Sequence, residues 1–174
     1  MQSIRAYTRN MDTCPFCKPD ANTKTLLWLI KDENLLVHLA CDMADRVAYL
    51  TPDSGAAQDA LQAARAWQEA PSALNFAHHA AEEARNGLNL AECIAAQSAI
   101  FHTTGTATAA VVGVRRECSA RAEQVAMCAR QARAEAGDSP EQEEAWQRAH
   151  IRAATCTCTS RHPIGRDRIS LLAH

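Results

Sequence analysis

Two short cysteine pairs near opposite ends of this 174-residue sequence form its clearest metal-binding pattern. Cys14 and Cys17 are separated by two residues, and Cys156 and Cys158 by one, with His162 close behind. A Cys-x2-Cys spacing lets two thiolates reach one zinc ion, and a structural zinc site needs four such ligands. The two pairs would supply these ligands if the chain ends meet at one pole of the fold.

Three interpretations of these pairs stay open. The N-terminus has no signal-peptide pattern, so we expect a cytoplasmic protein whose eight cysteines are reduced thiols or metal ligands. A redox pair in the stretch CPFC is the weakest interpretation, because thioredoxin-like sites need a preceding strand. Ordinary loop thiols are the favoured interpretation. The alternative is a zinc staple, with zinc as the one cofactor the pattern suggests, formed by Cys14, Cys17, Cys156 and Cys158.

Helical periodicity dominates the rest of the chain, and no segment alternates in the way of a strand. The pattern predicts an all-α fold, a single antiparallel bundle of five or six helices within one domain spanning 1–174. That domain comprises a cysteine-containing N-terminal segment (1–33), the bundle (34–154) and a cysteine- and arginine-containing tail (155–174). The predicted helices are 34–50, 56–70, 72–86, 90–102, 107–136 with a kink near Gly113, and 139–154, with a break at Thr103–Thr106.

Composition narrows the range of partners. The formal net charge is -2, and no cluster of positive charge favours nucleic acid or an anionic membrane. No window reaches the roughly 18 apolar residues of a membrane span. The expected partner is therefore a protein or a small molecule.

Four stretches carry a family resemblance: HLACDMADRVAYL, DALQAARAW, FAHHAAEEAR and AAQSAIFHTTGTATAAVVGVRRE. Over roughly residues 38–117 the chain resembles the Imm-5-like immunity protein family of bacteria. The resemblance implies a small helical domain that neutralises a toxin or effector by binding it, without established catalysis. The residues that match the family motifs are Asp42, Arg46, Arg65, Trp67, His79 (with His78 as its alternative), Gln97 and His102.

Each of these residues also has a structural interpretation. The charged ones can be interhelical ion pairs, and Trp67 extends the apolar stripe of its helix into the core. An inward His79 near His102 would form a hydrogen-bonded pair. If the set instead gathers on an exposed concave face, it is a partner-binding surface.

Two classes of function remain. The first is a non-catalytic, immunity-type protein-binding domain, because no catalytic constellation such as paired Glu-x-x-His motifs is present. The second is a zinc-binding or otherwise metal-dependent helical protein. A phage or mobile-element inhibitor of a host defence complex fits the same small acidic scaffold.

Overall fold

The computed structural model describes residues 14–156, and within that range the only regular secondary structure is helical. The all-α prediction is confirmed, although residues 14–156 contain seven α-helices and not five or six. Two short 3-10 turns, Pro15–Cys17 and Ala48–Leu50, accompany them. The α-helices are α1 (Thr23–Leu29), α2 (Glu33–Asp45), α3 (Ser54–Arg65), α4 (Pro71–Asn86), α5 (Ala91–Val111), α6 (Arg115–Glu135) and α7 (Pro140–Thr155).

Side-chain caps determine where several of these helices begin. Asp32 accepts hydrogen bonds from the first backbone N–H groups of α2, and Asp53 accepts one from Ala56 in α3. Ser139 caps α7 by accepting from the Gln142 N–H, as the sequence SPEQ predicts. Each cap satisfies a donor that the helix itself cannot pair.

The helix α5 is the centre of the bundle, in contact with α2, α3, α4 and α6. Because neighbours surround it, it is buried on most sides and lacks a clear polar face. Small side chains let these neighbours approach closely. The buried residues of α5 include Ala95, Ala96, Ala99, Ile100, Thr103, Gly105, Ala107 and Ala110.

The predicted helix break at Thr103–Thr106 is wrong, because α5 continues through it. Thr103 and Thr106 donate their hydroxyl protons to carbonyls one turn earlier, each at 2.8 Å, so both groups are satisfied without leaving the helix. The chain turns instead at Gly113, whose φ of +69° suits glycine. There the Val114 N–H bonds to the Ala109 carbonyl, which ends α5 in a Schellman motif before α6 begins.

The N-terminal segment contributes to the bundle, contrary to the predicted boundary at residue 34. The helix α1 packs on α6 and α7, and Leu26 and Leu27 are fully buried in the same core as the other helices. With only seven residues, α1 is too short for its periodicity to stand out in the sequence. None of the helices in residues 14–156 combines the length and apolar composition needed to cross a membrane.

Candidate metal centre and polar surfaces

Three cysteines from opposite ends of the described chain meet at one pole of the bundle. The Sγ of Cys156 lies 3.0 Å from that of Cys17 and 3.6 Å from that of Cys14, although Cys14 and Cys156 are 142 positions apart. All three sulfur atoms lie within 4.8 Å of one another, so the group can hold a metal ion. The predicted fourth ligand, Cys158, lies outside the described residues, as does His162.

Local structure brings each thiol to this position. Cys14 precedes the 3-10 turn Pro15–Cys17 and Cys17 is its last residue, and the Cys17 N–H bonds to the Cys14 carbonyl at 3.1 Å. Cys156 is the C-cap of α7, and its N–H bonds to the Arg152 carbonyl. The thiols therefore sit on backbone that is already hydrogen-bonded.

Arg152 fastens the turn to α7. Its Nε donates to the Phe16 carbonyl at 2.9 Å and an Nη donates to the Lys18 carbonyl at 2.7 Å. One turn of chain further on, Thr23 donates both its N–H and its hydroxyl to Glu144 of α7. The N-terminal turn is thus held on α7 by contacts within the turn and in the residues that follow it.

The chemical state of the cluster follows from its packing. The hydrogen bond with Cys156, together with burial, raises the pKa of the Cys17 thiol well above its ordinary value. A metal ion binds the thiolate and would have to displace protons from the cluster. Thiolate ligands at this spacing suit a soft or borderline metal ion.

Two cysteines elsewhere are ordinary core thiols. Burial raises the pKa of Cys41 to about 12 and that of Cys118 to about 11. Each sulfur lies near a backbone carbonyl, of Leu61 and Thr106 respectively. Neither has the lowered pKa of a nucleophilic cysteine.

The polar set implied by the family resemblance divides into two groups. In the first, Arg65 of α3 lies 3.5 Å from Asp42 and 3.7 Å from Asp45 of α2. His150 of α7 bonds to Asp42 at 2.9 Å. These four side chains are roughly 34–43% exposed and form a surface across three helices, called here the α2–α3–α7 polar surface. Burial opposes ionisation of Asp42, but the hydrogen bond from His150 and the nearby Arg65 leave its pKa lowered.

Arg46 extends this group into the interior. It donates two hydrogen bonds of 3.0 Å to Glu143 Oε2, and the Glu143 carboxylate is only 1% exposed. The Arg46 guanidinium also lies 4.0 Å from the Trp146 ring centroid, and Trp146 stacks on His150. Arg46 is therefore a structural residue that joins α2 to α7.

The second group lies on α4 and α5. His78 points inward and bonds to Thr104 at 2.9 Å, whereas His79 is exposed, so His78 and not His79 occupies the inward position. Rings of His78 and His102 both contact Phe101. The predicted hydrogen-bonded histidine pair is thus replaced by two histidines around an aromatic ring.

The remaining two motif residues have separate places. Gln97 is buried and donates to the Ala81 carbonyl at 3.4 Å. Trp67 follows the end of α3 and is half-buried against the core, with its Nε1 lacking a hydrogen-bond partner among the described residues. Neither joins the α2–α3–α7 polar surface through a described hydrogen bond.

Sequence reasoning missed the contribution of α7. His150, Glu143 and Arg152 each complete one of the contacts above, yet the sequence offered only their position on a predicted helix. The stacked Trp146 and His150 are four positions apart, the spacing of side chains on one helical face. That spacing was the one available signal that this face of α7 meets polar partners.

No protein-family model, curated protein or solved structure matches this chain. The immunity-protein resemblance therefore stays a prediction.

Proposed function

We propose that this chain is a zinc-binding helical protein in which Zn²⁺ joins the N-terminal turn to the end of α7. The observation that carries the proposal is the convergence of three thiols from positions 14, 17 and 156 within 4.8 Å. Four thiolates around zinc, at the usual Zn–S length of about 2.3 Å, would lie about 3.8 Å apart. The observed separations of 3.0 and 3.6 Å require only a small outward movement of the sulfur atoms.

Cys158 is the proposed fourth ligand. It follows Cys156 by two positions in the sequence, a distance over which the chain can bring its thiol to the same metal ion. A four-cysteine set would give the closed tetrahedral coordination of a structural site, without the open position that zinc catalysis uses. His162 is the competing fourth ligand and would give a three-cysteine, one-histidine site.

Metal analysis tests this proposal directly. Protein purified without added metal should carry about one zinc per chain, as a closed structural site would. Cys17→Ser and Cys156→Ser should each lose that zinc, whereas the matched control Cys93→Ser, on α5, should keep it. Cys158→Ser and His162→Ala identify the fourth ligand. If the wild type holds no zinc after reconstitution with zinc, or if Cys17→Ser keeps its full zinc content, the proposed site is ruled out.

A second candidate function is binding of a protein partner through the α2–α3–α7 polar surface. This surface unites Asp42 and Arg65, two residues carried over from the immunity-protein resemblance, with Asp45 and His150. Its charges are partly exposed and available to a partner of complementary charge. On this proposal the domain acts without catalysis, by covering a toxin or effector.

Charge reversal at Arg65 tests the second candidate. Arg65→Glu should abolish capture of a partner from the native host. The variant places a third acidic group beside two aspartates, so the surface repels a partner whose charges complement those of the wild type. Arg116→Glu, an exposed position on α6, is the matched control and should leave capture intact. Equal capture by both variants at equal melting temperature would refute the assignment. The identity of the partner separates a toxin from a component of a host defence complex.

A further inference from the structure

Four basic side chains from α4, α5 and α6 surround one phenylalanine. His78 and Arg85 come from α4, His102 from α5 and Arg121 from α6, and we call these four the basic cluster. The ring they surround, Phe101, is 8% exposed. All four basic side chains keep part of their surface accessible, so a solute can reach them.

Contacts with the ring hold the cluster together. His78 stacks on Phe101 with centroids 4.7 Å apart and an interplanar angle of 18°, and His102 meets the ring edge at 5.2 Å. The guanidinium carbon of Arg85 lies 4.4 Å from the ring centroid, and that of Arg121 lies 6.0 Å from it. A cation over an aromatic face is attracted by the ring, which offsets part of the repulsion among the basic groups.

Negative charge around the cluster is sparse. Glu117 pairs with Arg121 at 2.7 Å, and Glu82 is an exposed neighbour that acts on His78. Arg85 has no carboxylate partner among residues 14–156. With both histidines neutral, Arg85 and Arg121 contribute +2 and the directly paired Glu117 contributes −1, while Glu82 acts on His78 from an exposed position.

The hydrogen-bonding groups of the histidines are only partly used. Thr104 donates its hydroxyl proton to the Phe101 carbonyl at 2.8 Å, so its oxygen accepts from His78 Nδ1–H at 2.9 Å. That bond directs the His78 proton to Nδ1. His102 Nδ1 is buried and has no partner in the described part of the chain. An unpaired buried polar atom is costly unless a ligand or a water satisfies it.

We propose that the basic cluster binds a phosphate group, either free or at the end of a small ligand. Arginine side chains are well suited to phosphate because their planar N–H groups match its oxygens. Arg85 would supply the unpaired charge and Arg121 further donors, and His78 would donate from Nε2 in its protonated form, because the proton of its neutral ring lies on Nδ1. This site is separate from the cysteine cluster and from the α2–α3–α7 polar surface, so it stands or falls independently of them.

Burial and nearby positive charge lower the pKa values of both histidines. Burial, followed by the cations of Arg121 and Arg85 and by His78, lowers the pKa of His102 to about 4. Burial and Arg121 likewise lower the pKa of His78. A bound dianion would favour the protonated rings and raise both pKa values.

The test is a titration of the whole chain with inorganic phosphate at constant ionic strength, followed by the NMR signals of the histidine rings. We expect saturable shifts at His78 and His102 and a rise in the pKa of His102, with chloride giving neither. A parallel titration with O-phosphoserine separates the two sources: saturation by both probes supports a ligand-borne phosphate, and saturation by inorganic phosphate alone supports a free-ion site. If neither probe gives saturable shifts with the wild-type protein, the proposal is wrong, whatever the variants show.

Variants locate the binding. Arg85→Gln keeps a half-buried polar side chain and should weaken phosphate binding by about 10- to 100-fold, the usual effect of losing a hydrogen bond to a charged group. Arg116→Gln changes the net charge equally at an exposed position on α6 and should leave the binding unchanged. An equal loss in both variants would show nonspecific attraction only and would overturn the proposal.

Discussion

Replacing Arg46 with alanine should lower the free energy of unfolding by about 3–5 kcal/mol, the usual cost of removing one partner of a buried ion pair. The substitution leaves the Glu143 side chain, which is 1% exposed, without the positive charge and the three hydrogen bonds that Arg46 supplies. Gln147 donates to the same carboxylate at 3.4 Å, and Glu143 lies in the first turn of α7, where the helix dipole favours an anion. These contacts lower the free-energy cost of leaving Glu143 unpaired, but they place no positively charged side chain beside it.

Urea unfolding of matched variants measures the effect. Arg65→Ala removes an arginine whose partners Asp42 and Asp45 are about 40% exposed, and it should cost less than about 1 kcal/mol. Replacing both members of the ion pair together, Arg46→Met with Glu143→Leu, should recover most of the stability, because no isolated buried charge is left. Similar losses in Arg46→Ala and Arg65→Ala would show that the Arg46 pair is no more important than a surface contact.

Removing zinc should lower the stability by about 4 kcal/mol when the reference state contains free zinc at about 1,000 times the dissociation constant. For a domain of this size that loss corresponds to a melting temperature lower by about 10 °C. The helices should remain, since their core does not depend on the cysteine cluster. Circular dichroism melting curves with and without a zinc chelator provide the measurement.

Cys17→Ser is the control for this experiment. The variant should melt at the temperature of the chelated wild type, and the chelator should have no further effect on it. A chelator-dependent shift of the same size in Cys17→Ser would place the stabilising metal elsewhere or indicate a nonspecific effect of the chelator.

Much of the bundle was predictable because its helices begin and end with local signals. Ser139 marks a helix start that the sequence also indicated, whereas the cap at Asp53 begins α3 two residues before the predicted start at 56. The errors arose where burial changed the meaning of a local signal. The segment Thr103–Thr106 reads as a turn on an exposed surface, but in the central helix the hydroxyl groups bond to the preceding turn and the glycine lies against the Arg121 side chain.

The candidate sites were less predictable, because they depend on which helix faces meet. A meeting of the two cysteine pairs was the alternative to the favoured loop-thiol interpretation, and the structure brings together Cys14, Cys17 and Cys156, the three of these four cysteines that it describes. The Arg152 contacts that position the N-terminal turn involve backbone carbonyls, which leave no mark in a sequence. The motif residues divided because Asp42 faces α3 and α7, whereas His102 lies among α4 and α6.

The wide sequence separation of the cysteine cluster has a consequence for the order of folding. The helices α5 and α6 are joined by three residues and can pair early, because closing a short loop costs little entropy. Cys14 and Cys156 are 142 positions apart, so we expect them to meet late, when docking of the intervening helices has already brought the chain ends together. In the chelation experiment zinc should therefore slow the unfolding rate and leave the rate of folding nearly unchanged, as expected for contacts absent from the transition state. The metal would therefore prolong the lifetime of the folded bundle without helping it to assemble.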